Sequence, residues 1–114
     1  MGDKKTTKSL MPNELIASRI LFIRNQKVML DRDLAALYGV ETKQLKRQVR
    51  RNIERFPPSF MFELNKEENE ILRSQFGTLK QGAHNKYLPF AFTKHGILMI
   101  SSVLNSELAI KMSV

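Results

Sequence analysis

The side chains best placed to do chemistry are six bases crowded into one short stretch, Lys43, Lys46, Arg47, Arg50, Arg51 and Arg55, with Glu54 the one acid among them. The chain has 114 residues and a formal net charge of +8. Residues 43–55 account for +5 of it, residues 1–9 for +2 and everything else for +1. The excess therefore belongs mostly to one segment. Turning at about 100° per residue, a helix here sets Leu45, Val49 and Ile53 on one arc and Lys43, Gln44, Arg47, Arg50 and Arg51 on the opposite one, with Lys46 and Arg55 at its flanks. A merely solvated helix face interleaves acids with its bases, and like charges at this density repel unless a polyanion neutralises them. Arginine also presents a planar fork that matches guanine O6 and N7 or two phosphate oxygens. The expected chemistry is nucleic-acid binding: Arg47, Arg50 and Arg51 on bases or phosphates, Lys43 and Gln44 at the entering end, Lys46 and Arg55 on phosphate.

Other reactive side chains point to no catalysis. His84 and His95 are too far apart in sequence, and too differently placed, for a metal-ligand pair. Glu67, Glu68 and Glu70 fall in the first turn of an expected helix, where they complement its dipole. No enzyme activity, cofactor or metal is expected. There are no cysteines, which excludes disulfides and cysteine-bound zinc and fits a cytoplasmic location. No apolar run reaches the 18 residues of a membrane span, and no apolar core follows the lysine-containing start as a secretory signal requires.

Several elements must position the basic stretch. Ile20 to Ile23 and Lys27 to Leu30, separated by polar residues, predict a β-hairpin. Asp31 precedes Leu34, Ala35, Leu37 and Tyr38 at helical spacing, and Gly39 supplies the stop, predicting a helix over about 32–38. Thr42 is the expected N-cap of the basic helix, which spans about 42–54 and ends at Phe56, Pro57 and Pro58. Phe60, Phe62 and Leu64 alternate as a strand with one face inward. Asn65 caps a helix whose buried side is Ile71, Leu72 and Phe76. Residues 77–86, with Lys80, His84 and Lys86, read as a mobile loop able to touch DNA as a wing. Leu88, Phe90 and Phe92 alternate as a second strand, which Pro89 marks as short or at an edge. Thr93 caps a helix with a broad apolar face from Ile97 to Leu104, and Asn105 and Ser106 open a last helical segment through Leu108 and Ile110. The sum is an α+β fold, a small sheet of short strands with a helix-turn-helix unit and additional packed helices. Residues 1–9 form a disordered tail and residues 10–114 one domain, cut from a longer protein since the last helix stops without a capping signal.

The order of short helix, Ala35, Gly39, Val40 and basic helix resembles a helix-turn-helix unit, whose second helix enters the DNA major groove. The run KVMLDRDLAALYGVETKQLKRQVRRNIERFPPSFMFEL, then LRSQF, then YLPFAFTKHGILMISSVLNSELAI, resembles the N-terminal domain of KilA-N-like phage and prophage proteins. Within that group it is similar to the branch called the ORF-six N-terminal domain, over about residues 19–114. The resemblance implies a small DNA-binding domain of phage antirepressors and related regulators. It gives Asp31, Leu34, Leu37, Tyr38, Gly39 and Val40 a scaffolding role, and matches Thr42, Leu45, Val49, Arg51, Asn52, Ile53, Arg55, Phe56 and Pro57 to the second helix and its exit. The family often has a glycine pair followed by arginines before the YLP motif, where this chain has Gly82, Ala83, His84, Asn85 and Lys86. It also often has an acid in the FT-x-x-G motif, where Lys94 and His95 stand. Double-stranded DNA is the expected partner. RNA would require exposed aromatic residues for stacking, and most of the phenylalanines alternate inward. The alternative function is a protein-interaction module, a homodimer or repressor-binding surface built on Ile97 to Leu104.

Overall fold

The computed structural model describes residues 17–75 and 87–112, with side chains as far as residue 105. The expected tail over 1–9, Phe76 and the loop with Lys80, His84 and Lys86 lie outside the described residues. Elements run in the order β1 (Leu21–Ile23), β2 (Gln26–Leu30), α1 (Asp31–Tyr38), α2 (Thr42–Arg51), a 3-10 turn (Ile53–Arg55), β3 (Met61–Glu63), α3 (Lys66–Gln75), β4 (Phe90–Phe92) and α4 (Lys94–Met112). This is an α+β fold, as the residue patterns predict.

Arg24 and Asn25 both take positive φ, 55° and 64°, the left-handed pair that a two-residue hairpin turn requires. They join β1 to β2 in the register Leu21 to Val28, Phe22 to Lys27 and Ile23 to Gln26. The four strands are antiparallel in the order β1-β2-β4-β3. Thus β4 is central. Pro89 shortens the strand instead of marking an edge: it stands just before β4, where its carbonyl accepts the Leu64 N–H.

The sheet is covered on both faces. Met29, Met61, Phe90 and Phe92 pack on α1, α2 and α4 through Leu34, Ala35, Leu45, Val49, Ile100, Val103 and Leu104. On the other face Val28, Leu30, Leu64 and Ala91 meet Leu72 of α3, with Leu21, Ile23 and Phe62 beside them. Double coverage explains why successive residues of β4 are all buried and why β3 does not send a single parity inward: Met61 joins the first layer and Phe62 the second. Edge-on contact of Phe56 with Phe92, centroids 6.0 Å apart, closes the first core where the chain leaves the 3-10 turn.

Asn65 caps α3 as expected, its Oδ1 accepting the Glu68 N–H at 2.7 Å while Glu68 Oε1 accepts the Asn65 N–H at 2.9 Å. Glu68 also receives Arg24 at 2.8 Å, and the guanidinium lies 4.2 Å from the Phe62 ring centroid. The hairpin turn is thereby tied to α3. This bond holds the Glu68 carboxyl below the usual carboxylate range. Leu72 is buried in α3 but Ile71 is exposed, and Asn69 takes the inner position instead. At the start of α4, Thr93 Oγ1 accepts the Gly96 N–H and donates to the carbonyls of Ser59 and Phe60. The helix then runs unbroken to Met112, so Asn105 and Ser106 open no separate segment.

Candidate nucleic-acid interface

Asp31 begins α1 and is buried, one turn before Leu34 and Ala35. Gly39 ends the helix in the left-handed conformation at φ 68°, and the Val40 N–H returns to the Ala35 carbonyl at 3.0 Å. Two residues later α2 begins. Its N-cap is Glu41, one residue before the expected Thr42, and the Gln44 side chain accepts the Glu41 N–H at 3.3 Å. Leu45 and Val49 are fully buried against α1 and the sheet. These anchors fix which side of α2 faces outward.

The basic helix is shorter than the pattern suggests. It ends at Arg51, where Asn52 leaves helical geometry at φ −120° and its Nδ2 donates to the Gln48 carbonyl at 2.8 Å. An asparagine competes well for such backbone acceptors, and the 3-10 turn that follows rotates the next residues off the helical arc. Ile53, expected on the inner arc with Leu45 and Val49, is consequently 51% exposed.

Lys43, Gln44, Arg47, Arg50 and Arg51 are exposed, as their positions on the outer arc predict, and so is Arg55, expected at its flank and carried by the 3-10 turn. None of the five charged ones makes an ion pair among the described residues. Arg50 also reaches over the Phe90 ring, 5.7 Å from its centroid. Lys46 departs from the expectation. Rather than flanking the outer arc for phosphate, it is 7% exposed. Its Nζ donates to the Leu88 carbonyl at 2.9 Å, lies 3.4 Å from Asp31 Oδ2 and sits 4.5 Å from the Phe90 ring centroid. Its place on the helix is only about 80° from the centre of the Leu45 and Val49 arc, and the chain entering β4 passes over that side. Asp31 completes the knot: Oδ2 accepts the Phe90 N–H at 3.0 Å and Oδ1 the Arg32 N–H at 2.6 Å. One buried ion pair therefore locks α1, α2 and the approach to β4 together.

Tyr87 is the residue that sequence reasoning missed. It is 69% exposed and, with Lys43, Lys46, Arg47 and Arg50, lines a hollow of about 380 Å³ beside α2. A second hollow, of about 300 Å³, continues from it past Asp31, Arg32, Thr42 and Pro89. No local signal marks it: Pro89 and Ala91, on the same parity as Tyr87, are both buried, and Leu88 is only half-buried. His95 of the FT-x-x-G motif stacks on Phe60 at 5.5 Å and has no place near α2 in the described contacts. Among the described residues no helix is long and apolar enough to cross a membrane, and no group of acidic or histidine side chains is arranged to hold a metal.

No curated protein and no solved structure matches the chain. A family model does: the ORF6N domain is matched over residues 18–103, a span that contains the hairpin, both helices of the α1–α2 pair, all four strands and the first half of α4, and the chain belongs to the ORF6N domain family.

Proposed function

We propose that this chain binds double-stranded DNA, with α2 in the major groove, as the DNA-binding domain of a phage or prophage regulator of the KilA-N-like kind. The observation that carries the reading is the surface of α2: five exposed cations, Lys43, Arg47, Arg50, Arg51 and Arg55, on and just beyond a helix whose opposite side is pinned by Leu45 and Val49. The tight turn at Gly39 and the small, buried Ala35 give the α1–α2 pair the local features of a helix-turn-helix. Phosphate contacts position such a helix and base contacts specify the site. With about five phosphates neutralised, log affinity falls with log salt at a slope of roughly −4.5.

Random-pool DNA selection at fixed salt, repeated with Arg47→Ala and Arg50→Ala, tests the assignment. Loss of preference at defined positions identifies base readout, and a uniform loss identifies phosphate contact. A slope near zero for the selected duplex refutes the reading. A protein-contact role has narrower support than the sequence suggests. Ile100, Val103 and Leu104 are buried within the chain, and what remains open is an apolar groove between the hairpin and α4, walled by Ile20, Ile97 and the exposed Leu98. Sedimentation at micromolar concentration tests self-association through it, and a monomer throughout removes the homodimer.

A further inference from the structure

Tyr87 stands among cations, its ring exposed beside Lys43, Arg47 and Arg50 of α2. The backbone that follows Tyr87 is anchored. In the three residues that follow it, the Leu88 carbonyl receives Lys46 Nζ, the Pro89 carbonyl receives the Leu64 N–H, and the Phe90 N–H binds Asp31. Among the described residues the ring has little against it. Lys46 Nζ is 6.0 Å from its centroid, at the limit of attraction, and is engaged instead with Leu88 and Phe90. The Tyr87 hydroxyl has no partner among the described residues.

The hollow beside it is asymmetric in chemistry. One wall is the aromatic ring. The other is formed by Lys43, Arg47 and Arg50, at i, i+4 and i+7 on one side of α2, with the Lys46 stem between them. A π-face opposite a row of cations matches a nucleotide, with the base on the ring and the phosphates on the bases, and this is the arrangement by which proteins hold unpaired strands. A base inside a regular duplex has both faces covered by its neighbours. It reaches such a ring only by leaving the stack, which costs least at a mismatched or unpaired position. We propose that the hollow between α2 and Tyr87 holds one unstacked nucleotide of the bound DNA, so that the protein favours duplexes carrying an unpaired base or an easily opened step. The inference rests on the DNA-binding reading and adds to it a second, structure-selective contact outside α2.

The test uses the full chain and a 20-base-pair duplex obtained by random-pool selection, alongside copies in which a single unpaired adenine is inserted at each successive step. Wild type binds the best-placed bulged duplex about 5- to 150-fold tighter than the fully paired one, the range that base-aromatic stacking supplies. Tyr87→Ala abolishes that increment while keeping the affinity and salt slope for the paired duplex, and Tyr87→Phe retains it. A 2-aminopurine at the bulge is quenched by wild type and by Tyr87→Phe, and not by Tyr87→Ala. Equal binding of paired and bulged duplexes by wild type overturns the proposal, as does a bulge preference that survives in Tyr87→Ala. A Tyr87→Phe variant as defective as Tyr87→Ala overturns it too, since that result assigns the hydroxyl to phosphate. Duplex binding without bulge preference leaves the DNA reading standing, whereas absence of any duplex binding removes both.

Discussion

Replacing Lys46 by Met separates the two roles that a base on α2 can have. Methionine keeps an apolar stem of similar volume but removes the ammonium, and with it the contact over the Phe90 ring, from a site that is 7% exposed. Asp31, also buried, then keeps its charge with only the N–H groups of Phe90 and Arg32 to offset it, and the Leu88 carbonyl loses its donor. Breaking a buried ion pair from one side costs about 3–5 kcal/mol. The two remaining donors to Asp31 put this case near the lower end, about 3 kcal/mol, which lowers Tm by roughly 12 °C in a domain of this size. A double variant, Asp31→Asn with Lys46→Met, leaves no buried charge and recovers part of the loss. Urea unfolding followed by circular dichroism measures stability, and duplex affinity between 50 and 200 mM salt measures the phosphate count, with those concentrations chosen where counterion release is steep. Lys46→Met is expected to be destabilised with its salt slope unchanged. Arg47→Ala is expected to be the reverse, with stability near wild type and a slope shallower by about 0.9 if Arg47 meets one phosphate. Wild-type stability in Lys46→Met together with that shallower slope would show that Lys46 leaves Asp31 for the DNA, and would refute the reasoning.

Other substitutions probe the scaffold. A Cβ at Gly96 would lie 1.9 Å from the Phe60 carbonyl oxygen, a backbone atom that also accepts the Thr93 N–H, so Gly96→Ala must push α4 away from the start of β3. A loss of about 3 kcal/mol or more is expected in urea unfolding, and wild-type stability would contradict the close approach. At Gly39 a Cβ would meet nothing within 4 Å, but φ is +68°, so Gly39→Ala costs only the conformational penalty of about 1–2 kcal/mol and Gly39→Asn less. Glu68 has its carboxyl pKa lowered by Arg24, so the bond contributes stability above the ordinary glutamate value of about 4.3 and loses it as pH falls through the lower, folded-state value. Glu68→Gln is therefore expected to narrow the difference in Tm between pH 7 and pH 3 relative to wild type, and an unchanged difference would show that the pair contributes nothing.

How far the site was legible in the sequence depends on whether a residue's surroundings are local. Gly39, Leu45 and Val49 were legible because helix period and a left-handed stop are properties of neighbouring residues, and the outward arc of Lys43, Arg47, Arg50 and Arg51 follows from the same period. Lys46 was not. Whether a flank position is solvent or core depends on what crosses it, and here the crossing strand comes from 42 residues later in the chain. The same dependence left the place of β4 open between short and edge, since a proline before three apolar residues says where a strand begins but not which strands lie on either side of it. Asn52 is an intermediate case. Its side chain cuts α2 short through a bond only four residues back, but that bond competes with continued helix, and a regular apolar spacing at Leu45, Val49 and Ile53 favours the wrong winner. The practical consequence for the interface concerns which bases can meet a ligand. Composition counts six in the basic stretch, burial leaves five, and the sixth holds the segment after Tyr87 in place. A charge count alone would have assigned Lys46 to the DNA and overlooked both the ion pair that fixes α2 and the aromatic ring next to it.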